Sequence, residues 1–200
     1  MGFREKAVEV PAAAAAVLAL RRAEAQAEAD AFRSLFLEHS GAVHRFLKDL
    51  LRDGTLADEG LQETFVRAHE RLGTLEQRDR VVGWLLGIAR NVSLELRRAR
   101  RRDGPGGEDL WGERASAAPS PEHVLLGREE MEVVERAMAS LSEDKRAALL
   151  LRFDHGLSYE EIASTLGWGL SKAKVEVHRA RLKLRAALDA ANEDSDGGAR

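Results

Sequence analysis

Apolar side chains recur along this chain at intervals of three and four residues, the period of an α-helix, and almost nowhere at the alternation of a strand. Phe32, Leu35, Phe36, Val43, Phe46, Leu47, Leu50 and Leu51 keep this period until Gly54 interrupts it. Leu61, Phe65, Val66 and Leu72 mark a second helix from about Ala57 to Leu72, which Gly73 closes. Thr74 to Arg80 is polar and reads as a loop. Trp84, Leu85, Ile88, Ala89, Val92 and Leu96 give the inward face of a third helix, from about Val82 to Arg102. Gly104-Pro105-Gly106-Gly107 then breaks the chain. The stretch to residue 119 has little apolar surface beyond Trp111 and reads as a flexible linker. Ser120 and Pro121 suit the N-cap and first turn of a new helix. Four helices are expected beyond it: Pro121–Ser140, Ser142–His155, Ser158–Leu166 and Ser171–Leu188, with Gly156 ending the second. The expected fold is all-α. Two small helical domains, 31–103 and 120–188, are joined by a linker at 104–119. An alanine-rich N-terminal extension covers 1–30, with Pro11 opening a helix toward Asp30. An acidic tail covers 189–200 and is expected to be disordered after Asn192.

The most specific local signal lies near the C-terminus. Ser158 is a good N-cap, and Glu161 three residues on completes a capping box. Ile162, Ala163 and Leu166 form one apolar face, and Gly167 ends the helix in the way a left-handed glycine does. Trp168-Gly169-Leu170 leads into a longer helix. Its apolar stripe is Ala173, Val177, Ala180, Leu184 and Leu188, and its other faces carry Lys172, Lys174, His178, Arg179, Arg181, Lys183 and Arg185. A short helix, a glycine turn and a basic amphipathic helix make a helix-turn-helix, whose second helix enters the major groove of DNA. An ordinary helical hairpin with a solvated basic face has the same pattern.

The net charge of −3 argues against a free-standing nucleic-acid binder until it is divided along the chain. Residues 31–103 hold 14 basic and 11 acidic side chains, and residues 141–188 hold 9 and 6. Residues 104–140 hold 3 and 8. Two mildly basic blocks thus flank an acidic linker, and their affinity for free DNA should be modest. The absence of cysteine removes disulfides and thiolate metal sites. The apolar run Ala12–Leu20 is too short to span a bilayer, is mostly alanine, and follows Glu5 and Glu9. A cytoplasmic protein without membrane insertion is expected.

Asp58, Glu59, Gln62 and Glu63 share adjoining faces of the second helix. The helix dipole accounts for acids at such a start, and a polar docking face for a partner helix is the sharper account. Arg90 and Asn91 precede a run of Arg97, Arg98, Arg100, Arg101 and Arg102. The dipole again favours cations at a helix end, but so dense a run repels itself, and phosphates would relieve that repulsion. Enzyme chemistry finds no foothold. His39 and His44 are five apart, and His69, His123, His155 and His178 are scattered. No phosphate-binding glycine loop or nucleophile elbow is present, and Glu129-Glu130 reads as a solvated pair. No catalytic residue, metal site or cofactor is expected.

Taken in order, Gln62-Glu63-Thr64-Phe65, Trp84-Leu85-Leu86-Gly87-Ile88-Ala89-Arg90-Asn91, the arginine run, the linker, Leu157-Ser158-Tyr159-Glu160-Glu161-Ile162-Ala163 and His178-Arg179-Ala180-Arg181 resemble the sigma-70 family of transcription initiation factors, and within it the extracytoplasmic-function (ECF) group. The resemblance covers about Ala31–Asp103 (region 2) and Ser120–Leu188 (region 4). It implies a protein that binds core RNA polymerase, directs it to promoters and helps open the DNA. Asp58, Glu59, Gln62, Glu63 and Phe65 would dock on the clamp helices of the largest subunit, and the flap of the second-largest would be a further contact. The loop Thr74–Arg80 and the helix from Trp84 would read the −10 element and hold an extruded base, which offsets the cost of unpairing. Arg80, Trp84, Arg90, Asn91, Arg97 and Arg98 would serve that element, with Arg90, Arg97 and Arg98 on phosphates. Ser171, Lys172, Lys174, His178, Arg179 and Arg181 would serve the −35 element. The linker would thread the polymerase channel. An anti-sigma partner would hold the protein inactive, and the free protein would be monomeric. The chain departs from the family at Gly60, where leucine is usual, at His69, where tryptophan is common, and at Glu176, which replaces an arginine and could accept from cytosine N4 instead. The alternative from the residues alone is a helix-turn-helix regulator that binds DNA independently of polymerase.

Overall fold

The computed structural model describes residues 12–75, 80–103 and 128–197. Seven α-helices make up nearly all of them, and no strand occurs among the described residues. Helix α1 runs unbroken over Ala12–Leu51, and α2 covers Gly54–Glu70. Gly54 does not lie in a gap between helices as its sequence context implies; it is the first residue of α2. The break falls just before it, at Arg52 and Asp53. Arg52 takes a left-handed backbone, φ 56°, and its N–H returns to the Lys48 carbonyl at 2.8 Å, which ends α1. Asp53 caps α2 by accepting from the Leu56 N–H at 3.1 Å. A short 3-10 turn at Leu72–Thr74 follows, then α3 over Val81–Asp103.

Helix α4 is described over Arg128–Ala139, α5 over Glu143–Phe153, α6 over Tyr159–Leu166 and α7 over Leu170–Gly197. The linker, Trp111 and the expected helix start at Ser120-Pro121 lie outside the described residues. The stretch expected to lose order after Asn192 is helical through Gly197, because α7 carries on for nine residues past Leu188.

Contacts divide the chain into Met1–His39 and Ser40–Arg200. In the first unit the helical residues from Ala19 to Glu38 are mostly exposed, Leu20 and Leu37 included. Gln26 donates to Asp30 at 3.2 Å and Ser34 to the Asp30 carbonyl at 3.0 Å, the one-turn pairs of a helix supported by its own surface.

In the second unit the 3.6-residue stripes become the core, as hydrophobic burial requires. Val43, Phe46, Leu47 and Leu50 of α1, Ala57, Phe65 and Ala68 of α2, and Leu85, Leu86, Ala89 and Val92 of α3 are all buried. Ala147 to Leu151 of α5, Ile162 and Leu166 of α6, and Ala173, Val177 and Ala180 of α7 are buried likewise. The two sets of helices touch. His155 lies edge-on to Phe46, with ring centroids 5.7 Å apart. Arg146, only 1% exposed, donates to the carbonyls of Met138, Ala139 and Leu141 and across to Leu50 at the end of α1. These carbonyls lie at or just beyond helix ends, where backbone acceptors lack intrahelical partners. Burial, helped by the charges of Arg97 and Arg52, lowers the Arg146 pKa to about 10, which leaves it charged at neutral pH.

Candidate functional site

Three surfaces carry the residues singled out by the sequence. The first is the outer side of α2. Asp58, Glu59 and Gln62 are exposed, and His44 Nε2 lies 3.0 Å from Asp58 Oδ1. Glu63 accepts from Arg67 at 2.6 Å, and Arg67 also forks onto both oxygens of Glu95 in α3 at 2.8 and 2.6 Å. The bidentate pair fixes α2 against α3 and holds the Glu95 carboxyl below its ordinary range. Between these helices lies an open groove of about 300 Å³, with Glu59, Gln62, Glu63 and Val66 on one wall and Val92, Glu95 and Leu96 on the other.

The second surface is α3. Arg80 precedes it and is exposed, as are Asn91 and Arg98, while Trp84 is half-buried. Arg90 and Arg97 are engaged internally. Arg90 pairs with Asp144 at 2.5 Å, and Arg97 with Glu143 at 2.8 Å and with the Leu50 carbonyl at 2.8 Å. Arg98, Arg101 and Arg102 form a shallow basic concavity with Glu95.

The third surface is the helix pair α6–α7. The capping box forms in full: the Glu161 N–H donates to Ser158 Oγ at 3.2 Å, and the Ser158 N–H to Glu161 at 2.7 Å. The Ser158 backbone N–H holds the Glu161 carboxyl below its usual range. Gly167 adopts φ 66°, and the Trp168 N–H closes the turn on the Ala163 carbonyl at 2.8 Å. With Ala173, Val177 and Ala180 turned inward, Ser171, Lys172, Lys174, His178, Arg179 and Arg181 all lie exposed on α7. Lys172 Nζ rests over the Trp168 ring at 4.5 Å, which steadies the first turn. The geometry is that of a helix-turn-helix with a cationic outer face.

Two sequence-family models match the chain, sigma-70 region 2 over residues 35–103 and sigma-70 region 4 over 131–184. Together these cover more than half of it. The RNA polymerase sigma factor CarQ of Myxococcus xanthus is 34% identical over 80% of this chain and 90% of its own length. The ECF RNA polymerase sigma factor SigL of Mycobacterium tuberculosis is 31% identical over 82% of this chain and 92% of its own. The chain is an ECF sigma factor of the sigma-70 family. Among solved structures, the sigma factor RpoE in complex with the anti-sigma factor NepR from Bartonella quintana aligns with a TM-score of 0.65 and 26% identity, covering 79% of this chain and 96% of that one.

Within this sigma factor two residues sit otherwise than the resemblance implies. Phe65, expected on the docking face, is 4% exposed and packs into the core behind that face. Glu176, expected as a base reader, is largely buried, with its carboxylate 3.4 Å from Lys145 of α5 and 3.3 Å from Arg179. It holds the recognition helix to α5 and points one arginine along the exposed side. Val66, 54% exposed one turn past Gln62, was assigned only to the apolar stripe. Its spacing of three and seven residues from Glu63 and Glu59 was the signal that it shares their face. Most of the loop expected to hold an extruded base, residues 76–79, lies outside the described residues.

Proposed function

We propose that this ECF sigma factor binds core RNA polymerase, carries it to promoters bearing a −10 and a −35 element, and promotes opening of the DNA. The observation that carries this reading is the presence of both regions in one chain, together with a helix-turn-helix whose cations all face outward. A regulator independent of polymerase would have no use for region 2.

In this reading the groove of Glu59, Gln62, Glu63 and Val66, with Asp58 at its rim, receives the clamp helices of the largest subunit, and Phe65 supports it from behind. Region 4 docks on the flap of the second-largest subunit. Arg80, Trp84, Arg90, Asn91, Arg97 and Arg98 serve the −10 element, and Ser171, Lys172, Lys174, His178, Arg179 and Arg181 the −35 element. Region 2 lies in about 31–103 and region 4 in about 120–188. The likeness to RpoE held by NepR supports an anti-sigma partner for this chain as well. The protein contributes no chemistry of its own; the polymerase does. No helix among the described residues is long and apolar enough to cross a membrane, which accords with action in the cytoplasm. The free protein is a monomer.

Run-off transcription on a library of promoter fragments, with core polymerase in the presence and absence of the protein, tests this. New start sites that need the protein are expected, and a shared motif upstream of them defines its two elements. Tight promoter binding by the protein alone, with no new starts, would overturn the reading.

A further inference from the structure

One face of α3 is built to be covered by region 4. Gly83, Gly87, Arg90, Ser93 and Arg97 follow one another at helical spacing along it. The turn before α6 and α6 itself lie against Gly83 and Gly87: a β-carbon on Gly83 would be in ordinary contact with Leu157 at 3.5 Å, and one on Gly87 with Thr165 at 3.6 Å. The Thr165 hydroxyl donates to the Gly83 carbonyl at 3.3 Å. Further along, Arg90 pairs with Asp144, and Ser93 and Arg97 both reach Glu143. Glu143 and Asp144 form the first turn of α5, so the positive end of that helix dipole sits behind the two carboxylates. At the end of α1, Arg52 clasps Glu135 through both its carbonyl and its carboxylate.

The groups in this seam match those that DNA would offer. A carboxylate presents the same bidentate oxygen edge to a guanidinium that a phosphate does. We infer that the Ser40–Arg200 unit is a self-blocked form, in which Glu143 and Asp144 of region 4 stand in for promoter phosphates on Arg90 and Arg97 and must be displaced before α3 can engage a promoter. This inference rests on the sigma-factor reading of α3. The seam is polar along one half and lined by glycine and threonine along the other.

The chain has no cysteine, so a donor–acceptor dye pair can be placed cleanly at Glu70→Cys and Arg185→Cys, both exposed and one on each side of the seam. Two variants open the seam from the region 4 side and leave the promoter-facing residues intact: Glu143→Lys by charge and Thr165→Phe by bulk. Both are expected to lower energy transfer in the full-length protein and to tighten its binding to a promoter fragment. The gain should be on the order of fivefold, the factor for a competent fraction that rises from about a tenth to about a half. The swap Arg97→Glu with Glu143→Arg is expected to restore energy transfer, which a merely unfolded region 4 would not do. Unchanged transfer in both single variants overturns the closure, and lower transfer without tighter promoter binding overturns its blocking role. A wild-type protein that fails to bind core at any salt concentration would instead sink the sigma-factor reading, and the dye pair would still decide the closure.

Discussion

At Gly60 helix α2 packs tightly on its neighbours. A β-carbon there would lie 3.2 and 3.3 Å from the two Leu47 methyls and 3.4 Å from Leu96. In sequence the residue reads as a helix defect worth roughly 1 kcal/mol. In the fold it is the contact that lets α2 sit down on α1 and α3, and the Thr64 hydroxyl donates to its carbonyl at 2.6 Å. Restoring the family's usual side chain with Gly60→Leu should therefore destabilise the protein by about 1–3 kcal/mol through overpacking, read from urea unfolding. A stabilised variant would show that the neighbouring leucines give way freely. Arg146 makes a second test at this scale. Arg146→Met keeps most of the volume but leaves the Met138, Ala139 and Leu141 carbonyls without their donor, at an expected cost of about 3 kcal/mol. His155 makes a third. Burial, with the charge of Arg45 adding to it, lowers its pKa from 6.5 to about 4. A base held below its unfolded value binds fewer protons in the native state, so stability falls as pH drops through this window. Between pH 7.5 and 5 the loss should be about 1 kcal/mol once the partial exposure of the ring is allowed for. The carboxylates held low, Asp53, Glu95 and Glu161, lose their contribution only at more acid pH. The upper window thus reports His155, and His155→Phe should flatten it in thermal melts taken across that range.

At the scale of elements, α6 and its turn depend on signals confined to ten residues. Ser158→Ala removes one arm of the capping box and should cost about 1 kcal/mol, seen in denaturant unfolding and as weaker promoter binding by region 4. The same locality explains why this motif was legible in the sequence from Ser158 to Gly167. Capping and a left-handed glycine are decided by the chain within one turn, and the inward stripe of α7 follows from a period of 3.6. The inner face of α3 was legible for the same reason, since Leu85, Ile88 and Val92 announce a core. The opposite seam was not legible. Glycine, arginine and serine at 83, 87, 90, 93 and 97 have the composition of a solvated face, and only a partner distant in sequence makes them an interface. Glu176 misled for a related reason. An acid on a recognition helix reads as a groove contact, yet Lys145 of α5 draws it inward.

For the whole molecule the question is how a chain of net charge −3 engages DNA at all. Region 4 offers Lys172, Lys174, Arg179 and Arg181 along the two exposed flanks of α7, about four phosphate contacts. Arg90 and Arg97 offer nothing while Asp144 and Glu143 hold them. The isolated protein should therefore bind a −35 duplex weakly. Its affinity should fall with salt along a log–log slope of about −3 to −4, since each neutralised phosphate contributes about −0.9. Lys174→Ala should make the slope shallower by about 1 without altering sequence preference. On a full promoter, Glu143→Lys should steepen the slope by about 2, because opening the seam releases two arginines to phosphates. Fluorescence anisotropy over a salt series measures all three. If the wild type already showed the steeper slope on the full promoter, Arg90 and Arg97 would be free in solution. Their pairing with region 4 would then place no barrier before the DNA.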